Sequence, residues 1–226
     1  MSPGAGRCVD LSHTVEHGMV TYRGLPAPLI CDWLSREASR ARYAPGTEFQ
    51  IGKIELVGNT GTYLDSPFHR HAHGVDLAGL TLESLADLPC LVARPPRGGA
   101  RSISDLGLSA ARVRGSAVLV HTAWDRHWRT ERYFEGHPYL TGELAARLAD
   151  AGAVLVGIDS YNIDCTDDGE RPVHTELLGR GIPIVEHLRG LEALPESGAR
   201  FFAVPPKIAG FGTFPVRAFA LASSEA

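Results

Sequence analysis

The chain has 226 residues, of which 44% are hydrophobic and 21% charged, and this composition suits a globular protein with a substantial buried core. Its formal charge of −4, without a basic stripe that carries aromatic residues, argues against a nucleic-acid partner. The first seven residues lack the apolar run of a secretory signal, and no apolar stretch is long enough to span a bilayer. The four cysteines are spaced too widely for a zinc ribbon or a disulfide framework. We therefore expect one domain over residues 1–226, located in the cytoplasm, with a small-molecule partner and no membrane partner.

Short apolar runs predict several strands in the first half of the chain. A connection rich in Gly and Pro at 18–28 follows the first of them, and its apolar content suggests packing against another surface, such as a neighbouring subunit. Thr81 is an N-cap type of residue and predicts a short helix through Leu85. The predicted strands are 8–13, 30–34, the alternating run Ile51, Ile54, Leu56 and Val57, and 91–93.

The stretch 58–69 interrupts the apolar pattern and carries reactive side chains. Gly, Asn, Thr and Pro are frequent in it, which predicts a loop at the end of the preceding strand, where sites are commonly built. Asp65 and His69 are suited to metal binding or proton transfer, and Pro67 stiffens the backbone between them. The alternative is a simple turn, in which Asp65 accepts from a backbone amide and His69 lies on the surface.

The second half of the chain reads as a strand–helix–strand unit followed by further strands. Thr141 predicts the cap of a helix that places Leu144 and Leu148 on one face and ends at Gly152. Short apolar runs on both sides of this helix predict buried strands, so the fold class is α/β with a mixed sheet. The predicted strands are 117–121, 153–158, 183–186, 201–204 and 216–221.

Polar residues stand at or near the ends of these strands. A polar group at 159–162 follows one strand, His174 precedes the next in a predicted loop, and Glu186 ends that strand. Individually, His174 is explained as a surface histidine and Glu186 as a strand end that meets solvent. Together with Asp65 and His69 they have the composition of a metal or acid–base site.

Ordered motifs run through nearly the whole chain and allow a family comparison. They are D-L-S-H at 10–13, G-T-x-x-D-x-P-x-H at 61–69, H-T-A-W at 121–124, P-Y-L at 138–140, G-I-D-S at 157–160, H-x-x-L-L at 174–178, E-H-L at 186–188 and P-P-K-I at 205–208. This series resembles the cyclase-like metal-dependent hydrolase family, which includes bacterial kynurenine formamidase and isatin hydrolase. The resemblance implies a swivelling β/β/α domain assembled as a homodimer or homotetramer.

The sequence departs from the family signature, His-x-Gly-Thr-His-x-Asp-x-Pro-x-His, at two metal ligands. Asn59 and Tyr63 stand where the leading histidines belong. An amide oxygen is a poor zinc ligand, and a phenol must lose a proton near pH 10 to become a good one. The family's second metal position corresponds to Asp65, His174 and Glu186, which are retained. His71 and His73 are candidates to compensate, although their place after the motif suggests an exposed loop.

Three functions remain open from the sequence. In the first, Asp65, His174 and Glu186 hold one divalent ion, zinc or manganese, and His69 takes or relays a proton. The substrate is then a small aryl amide, imide or lactam, which is hydrolysed at a C–N bond as in kynurenine formamidase. In the second, a metal-free site uses Tyr63 and His69 as an acid–base pair, with Asp65 orienting the histidine, to cyclise, dehydrate or hydrolyse an aromatic or polyketide-like substrate. The third is a non-catalytic small-molecule binding protein. The joint retention of the four ionisable residues favours an enzyme.

Four further residues are candidates for substrate binding. Trp33 and Tyr22 are expected to line the pocket from a neighbouring subunit, as N-terminal residues do in relatives, and ordinary packing is the alternative. Phe68 is a candidate pocket wall, with the core as an equal alternative. Asn59 stands where the family has one of its leading metal-binding histidines.

Overall fold

A computed structural model of the chain describes residues 6–96, 100–167 and 169–222. The strands of these residues are β1 (Arg7–Asp10), β2 (Leu29–Leu34), β3 (Ile51–Glu55), β4 (Tyr63–Asp65), β5 (Leu88–Ala93), β6 (Ser102–Ile103), β7 (Ala117–Val120), β8 (Tyr139–Leu140), β9 (Leu155–Ile158), β10 (Ile184–Glu186), β11 (Ala199–Phe202), β12 (Thr213–Pro215) and β13 (Phe219–Ala222). The helices are α1 (Arg36–Ser39), α2 (Ala110–Val113), α3 (Gly142–Asp150) and α4 (Pro172–Gly179). Short 3-10 turns occur between them, one of them at Pro67–His69.

The main sheet is mixed, as the sequence predicted. Within the described residues it has nine strands in the order β1-β13-β11-β5-β7-β9-β10-β4-β12. Its centre, β5 to β10, is parallel, and the strands on both sides pair in the antiparallel sense. Two small two-stranded sheets, β2-β3 and β6-β8, accompany it. The α/β class with a mixed sheet is confirmed.

The two faces of the main sheet bury two separate apolar clusters. Side chains alternate along each strand, so Leu155 joins one cluster while Val156 and Ile158 join the other. Helices α3 and α4 pack on the second face, where Leu144 and Leu177 are buried. The polar residues of the site lie on this helix-covered face.

The predicted strand–helix–strand unit is confirmed in detail. Thr141 caps α3 by accepting a hydrogen bond from the backbone amide of Leu144, at 3.2 Å. Gly152 follows the helix with φ of 85°, a conformation that glycine adopts without strain. Strands β7 and β9 on either side of this helix are neighbours and run parallel.

Three features of the sequence prediction were wrong. The stretch 58–69 is not a loop throughout, because β4 lies within it, wholly buried and paired on both sides. His174 lies in helix α4 and not in a loop, and Pro172 occupies the first turn of that helix. Strand β12 was missed, since its three residues lack an apolar pattern. Pairing with distant strands outweighed local composition at β4 and β12.

The β2–β3 hairpin presents apolar side chains to the surface. Every residue of β3 is exposed, and the strand itself was predicted from its alternating pattern. Trp33 is 75% exposed and Ile54 is 58% exposed. In the part of the chain that the structure describes, no helix has the length and apolarity required to cross a bilayer.

Candidate functional site

Strand β4 brings the first acidic residue of the site into the sheet. Its neighbours are β10 and β12, and the register places Tyr63 opposite Glu186 and Asp65 opposite Ile184. Because residues two apart in a strand point to the same face, Tyr63, Asp65 and Glu186 all project toward α4. All three side chains are buried.

The first turn of α4 supplies His174, which a buried carboxylate holds in place. The Oδ2 atom of Asp164 lies 2.6 Å from His174 Nδ1, and the same carboxylate accepts from the backbone amides of Val173 and His174 at 2.8 and 3.0 Å. A carboxylate is stabilised at a helix N-terminus because the unpaired amides point toward it. Since Nδ1 donates to Asp164, Nε2 faces the other carboxylates, 3.6 Å from Asp65 Oδ2 and 3.8 Å from Glu186 Oε1.

A hydroxyl group connects Asp65 to His69. Thr213 Oγ1 donates to Asp65 Oδ1 at 2.5 Å and lies 2.6 Å from His69 Nδ1. Because the hydroxyl proton is used on Asp65, the ring nitrogen Nδ1 must carry a proton and donate to the hydroxyl oxygen. The lone pair of His69 is then on Nε2, which lies 3.8 Å from Asp65 Oδ1 on a ring that is 34% exposed. This arrangement suits His69 to accept a proton or bind a cation.

Tyr63 is a hydrogen-bond donor to Glu186. Its hydroxyl lies 2.5 Å from Glu186 Oε2, and burial, followed by the charges of Glu186 and Asp65, raises the pKa of Tyr63 well above its usual value. The phenol therefore stays protonated and is a poor metal ligand. Asn59, at the other position at which the family has a histidine, lies near Tyr63 and partly opposes this increase in pKa.

Burial and charge oppose each other around His174. Burial disfavours a charged imidazole, but the hydrogen bond to Asp164 and the nearby carboxylates of Asp65 and Glu186 raise the pKa of His174 to about 10. Burial also disfavours ionisation of Asp65, yet the neighbouring His69 and His174 and the hydrogen bond from Thr213 lower the pKa of Asp65. Burial raises the pKa of Glu186. The cluster therefore needs positive charge, from a proton on His174 or from a bound cation.

The donor set of this cluster fits a divalent cation. Asp65, His69 and His174 each offer a ligand atom, and these atoms lie within 4.8 Å of one another. The buried Oδ2 atom of Asp65 has no hydrogen-bond partner, so a ligand oxygen is available at the centre of the cluster. Glu186 was predicted as a ligand but is not in this tightest group. Its Oε1 atom lies 3.8 Å from His174 Nε2, so Glu186 borders the cluster. A mixed set of imidazole and carboxylate suits zinc or manganese.

A cavity of about 230 Å³ opens directly above the cluster. Asn59 and Tyr22, two of the predicted substrate-binding residues, line it, whereas Trp33 and Phe68 are not among the described residues that do so. Trp33 lies on the exposed face of the β2–β3 hairpin, and Tyr63 lies behind Glu186 and does not reach the cavity surface. The lining residues are Tyr22, Leu25, Asn59, His69, Arg70, Asn162, Arg171, His174 and Glu186.

Sequence reasoning missed several residues that orient the site. Asp164 and Thr213 hold the two histidines, and Asn162 hydrogen-bonds to Glu186 Oε2 at 3.4 Å. Asp164 gave no local signal of this role, because it lies nine positions before Val173 and outside the first turn of α4. Thr213 gave no such signal, because its partners are remote in sequence.

His71 and His73 do not join the cluster. His71 Nε2 lies 3.1 Å from the backbone carbonyl of Thr175, on the outer side of α4. His73 is exposed. The structure therefore gives neither histidine the place of a missing family ligand.

Comparisons with known proteins identify the family of the chain. The "Putative cyclase" family model matches residues 9–165. Kynurenine formamidase from Bacillus cereus is 25% identical to this chain over 216 residues, which cover 93% of this chain and 95% of the relative. Kynurenine formamidase from Salinibacter ruber is 29% identical over 217 residues, with the same coverage of both chains. Isatin hydrolase A from Labrenzia aggregata, solved with benzyl benzoate, has the same fold, with a TM-score of 0.80 at 20% identity over 97% of this chain and 95% of that chain. The chain belongs to the cyclase family that this model describes.

Proposed function

We propose that the protein hydrolyses a C–N bond in a small aryl amide, lactam or related cyclic carbonyl compound. The observation that carries the proposal is the unpartnered Oδ2 atom of Asp65, buried between two oriented histidines beneath a small cavity. The kynurenine formamidases and isatin hydrolases that resemble this chain support a reaction at an amide or lactam carbonyl.

We propose one divalent cation per chain, zinc or manganese, held by Asp65, His174 and Glu186. When bound, such a cation polarises a carbonyl group and lowers the pKa of water. Asp164 assists by keeping the proton of His174 on Nδ1, which leaves Nε2 as the ligand atom. A solved structure described as a potential metal-dependent hydrolase with cyclase activity supports a metal-dependent reaction.

His69 is the proposed proton carrier. Its Nε2 atom faces the cavity, and its Nδ1 proton is directed to Thr213. As water adds to the carbonyl carbon, Nε2 accepts a water proton, and it returns that proton to the nitrogen when the C–N bond breaks. The products are a carboxylic acid and an amine, so the atoms and protons balance.

A metal-free acid–base reaction is the second candidate, and one observation favours it. A protonated His174 would itself supply the positive charge that the three surrounding carboxylates require. In that scheme Tyr63 and His69 act as acid and base. Its weakness is that Tyr63 donates to Glu186 from behind the cavity wall.

The decisive experiment combines metal analysis with a substrate screen. Protein purified without a His-tag is assayed for bound metal and tested on N-formyl anilides, isatin-like lactams and aryl lactones, before and after chelation. Close to one ion per chain, with turnover of an amide or lactam that chelation removes and metal restores, supports the proposal. Turnover without metal supports the second candidate, and binding without turnover of any compound indicates a binding protein.

We also propose that the protein forms a homodimer or homotetramer in the cytoplasm. The exposed apolar side chains of the β2–β3 hairpin support self-association, because water-exposed apolar clusters of this kind commonly mark contact surfaces. Trp33 would then approach the cavity of a neighbouring copy. Four free cysteines are compatible with a reducing compartment. Sedimentation analysis of wild type and of Trp33→Ser tests the assembly.

A further inference from the structure

The segment 18–28 forms one side of the cavity and has the shape of an Ω-loop. Its two ends are tied together, because the backbone amide of Gly18 donates to the Pro28 carbonyl at 2.9 Å. Tyr22 and Leu25, in the middle of the segment, line the cavity. The loop therefore carries part of the cavity wall.

The base of this Ω-loop is attached to the core, whereas its tip, residues 22–27, lies at the surface. At the base, Thr21 Oγ1 donates to the Asn59 carbonyl at 3.2 Å and accepts from the Gly61 amide at 3.2 Å. No residue of the tip is buried, and the tip turns at Gly24, whose φ of 89° a glycine adopts without strain. The tip is thus the part of the loop that can move, on a base that stays in place.

One arginine holds the tip against the neighbouring segment 131–135. The Nη2 atom of Arg23 donates to Glu131 Oε2 at 2.9 Å and to Glu135 Oε1 at 3.3 Å. The guanidinium carbon also lies 5.2 Å from the centroid of the Phe134 ring. The two glutamate side chains are 87% and 68% exposed, so these ion pairs are weak and are screened by salt. Arg23 is therefore a latch that can open at the surface without disturbing the core.

On its inner side the tip makes aromatic and polar contacts. Tyr22 packs on Tyr161 with ring centroids 4.8 Å apart, and the Tyr161 hydroxyl accepts from the backbone amide of Arg23 at 3.2 Å. Burial, and then the charge of Glu186, raise the pKa of Tyr22 to about 12, so its phenol is neutral and lies close to the acidic floor of the cavity. The latched tip holds Tyr22 in place, and any movement of the tip moves the cavity wall.

We propose that residues 22–27 form a lid, which opens when Arg23 releases Glu131 and Glu135, and that this opening controls the access of small molecules to the cavity. Opening withdraws the wall residues of the tip, so the path to His69 widens. A lid held by exposed ion pairs opens readily, because only weak contacts must be broken. The inference rests on the proposed function only in taking this cavity as the site of a small molecule.

Amide hydrogen exchange measures the opening of the lid. The double variant Glu131→Gln/Glu135→Gln removes both partners of the Arg23 side chain and leaves the sequence of residues 18–28 unchanged. At low salt we expect the Arg23 amide, whose bond to a tyrosine hydroxyl breaks on opening, to exchange at least about threefold faster than in wild type. The Gly18 amide, at the base of the loop, should keep its wild-type rate. Equal rates for the Arg23 amide in the two proteins would contradict the latch.

Salt and a matched variant separate release of the latch from a general loss of stability. In about 1 M NaCl, where the screening length is about 3 Å, the Arg23 amide of wild type should exchange as fast as that of the double variant. Arg180→Gln removes an arginine that is likewise shared by two carboxylates, those of Asp150 and Glu176, at the far end of α4. This control should keep the wild-type exchange rate at Arg23. Faster exchange in the control as well would assign the effect to lower stability and count against the latch.

Chemical labelling of His69 measures access to the cavity. Diethyl pyrocarbonate is small and uncharged, so salt does not steer it, and it transfers an ethoxycarbonyl group to an imidazole nitrogen. His69 lines the cavity, whereas His73 is exposed outside it and serves as the internal reference. Mass spectrometry follows both rates. We expect the ratio of the His69 rate to the His73 rate to rise at least about threefold in the double variant and in wild type at high salt. An unchanged ratio, even with faster exchange at Arg23, would show that the loop moves without controlling access and would overturn the inference.

Neither measurement uses turnover, so the inference and the proposed function fail separately. Absence of hydrolysis in the substrate screen overturns the hydrolase proposal and leaves the exchange and labelling results as they are. Unchanged exchange and labelling in the double variant remove the lid and leave the hydrolase proposal in place.

Discussion

The carboxylate of Asp164 holds His174 at three points. It accepts from the ring Nδ1 and from the backbone amides of Val173 and His174, and no part of the Asp164 side chain is exposed. The imidazole is therefore fixed both in rotation and in tautomer before any ligand arrives. Asp164, which does not line the cavity, therefore fixes the direction of His174 Nε2, which faces it.

Asp164→Asn should weaken metal binding. The amide can still accept at one position, but it no longer favours a proton on His174 Nδ1, so we expect metal affinity to fall by roughly 10- to 100-fold. Competition with a chromophoric chelator measures this affinity. Asp167→Asn, an exposed neighbour, is the matched control. Unchanged affinity in Asp164→Asn would show that the carboxylate serves only the helix terminus.

Thr213→Val should lower turnover more than it lowers stability. Valine has a similar shape but removes the hydroxyl that sets the His69 tautomer, and we expect kcat to fall by roughly 10²-fold. Thr213→Ser, which keeps the hydroxyl, should recover most of the activity. Steady-state kinetics on the best substrate from the screen gives both values, and equal loss in the two variants contradicts the tautomer argument.

Tyr63→Phe distinguishes the metal-dependent reaction from the metal-free one. If Tyr63 only donates to Glu186, the variant should lose about 1–3 kcal/mol of unfolding free energy and keep most of its turnover. If Tyr63 is the catalytic acid, kcat should fall by roughly 10²- to 10⁴-fold with metal content unchanged. Chemical denaturation and kinetics on the same preparation provide the comparison.

Glu186→Gln and His69→Ala should separate the metal ligands from the proton carrier. We expect Glu186→Gln to reduce metal content, and His69→Ala to keep close to one ion per chain and nearly the wild-type melting temperature while abolishing turnover. Elemental analysis and thermal melts measure these properties. The reverse result, with metal lost from His69→Ala and kept by Glu186→Gln, would move His69 into the ligand set.

His13 should make stability sensitive to acid. Burial, and then the nearby His187 and Arg189, lower the pKa of His13 to about 3 where its ring stacks on Trp128 at 3.8 Å. As pH falls through 6.5, His13 gains a proton in the unfolded chain but not in the folded chain. The contribution of neutral His13 to the free energy of unfolding is therefore fully present above pH 6.5 and is lost as pH falls toward about 3. His13→Phe keeps the stacking and cannot ionise, so its melting temperature should fall less between pH 7.5 and pH 5. Parallel curves for the two proteins contradict this assignment.

The sequence predicted those parts of the fold where local pattern and burial agree. The helix capped by Thr141 and the strands on both sides of it follow from periodicity and from Gly152. The site residues Asp65 and His174 were also identified, although one was placed in a loop that is a strand and the other in a loop that is a helix. Residue identity was therefore a better guide to the site than local conformation.

The remaining parts depend on contacts between distant segments. Nothing near Thr213 indicates that its hydroxyl would lie between Asp65 and His69, which are remote from it in the chain. Tyr63 was considered as a catalytic acid because the sequence shows its phenol group but not its position. That position, behind Glu186, depends on the register of β4 with β10. Pairing of this kind is set by tertiary packing and leaves little trace in composition.

The position of β4 between β10 and β12 has a consequence for biosynthesis. Asp65 emerges from the ribosome long before the residues that surround it, since Thr213 is 148 residues further along the chain. Until those late segments arrive, the early acidic strand has no sheet to join, and contacts so distant in sequence form slowly. A nascent chain thus acquires its reactive centre only after the segment that carries Thr213 has been made.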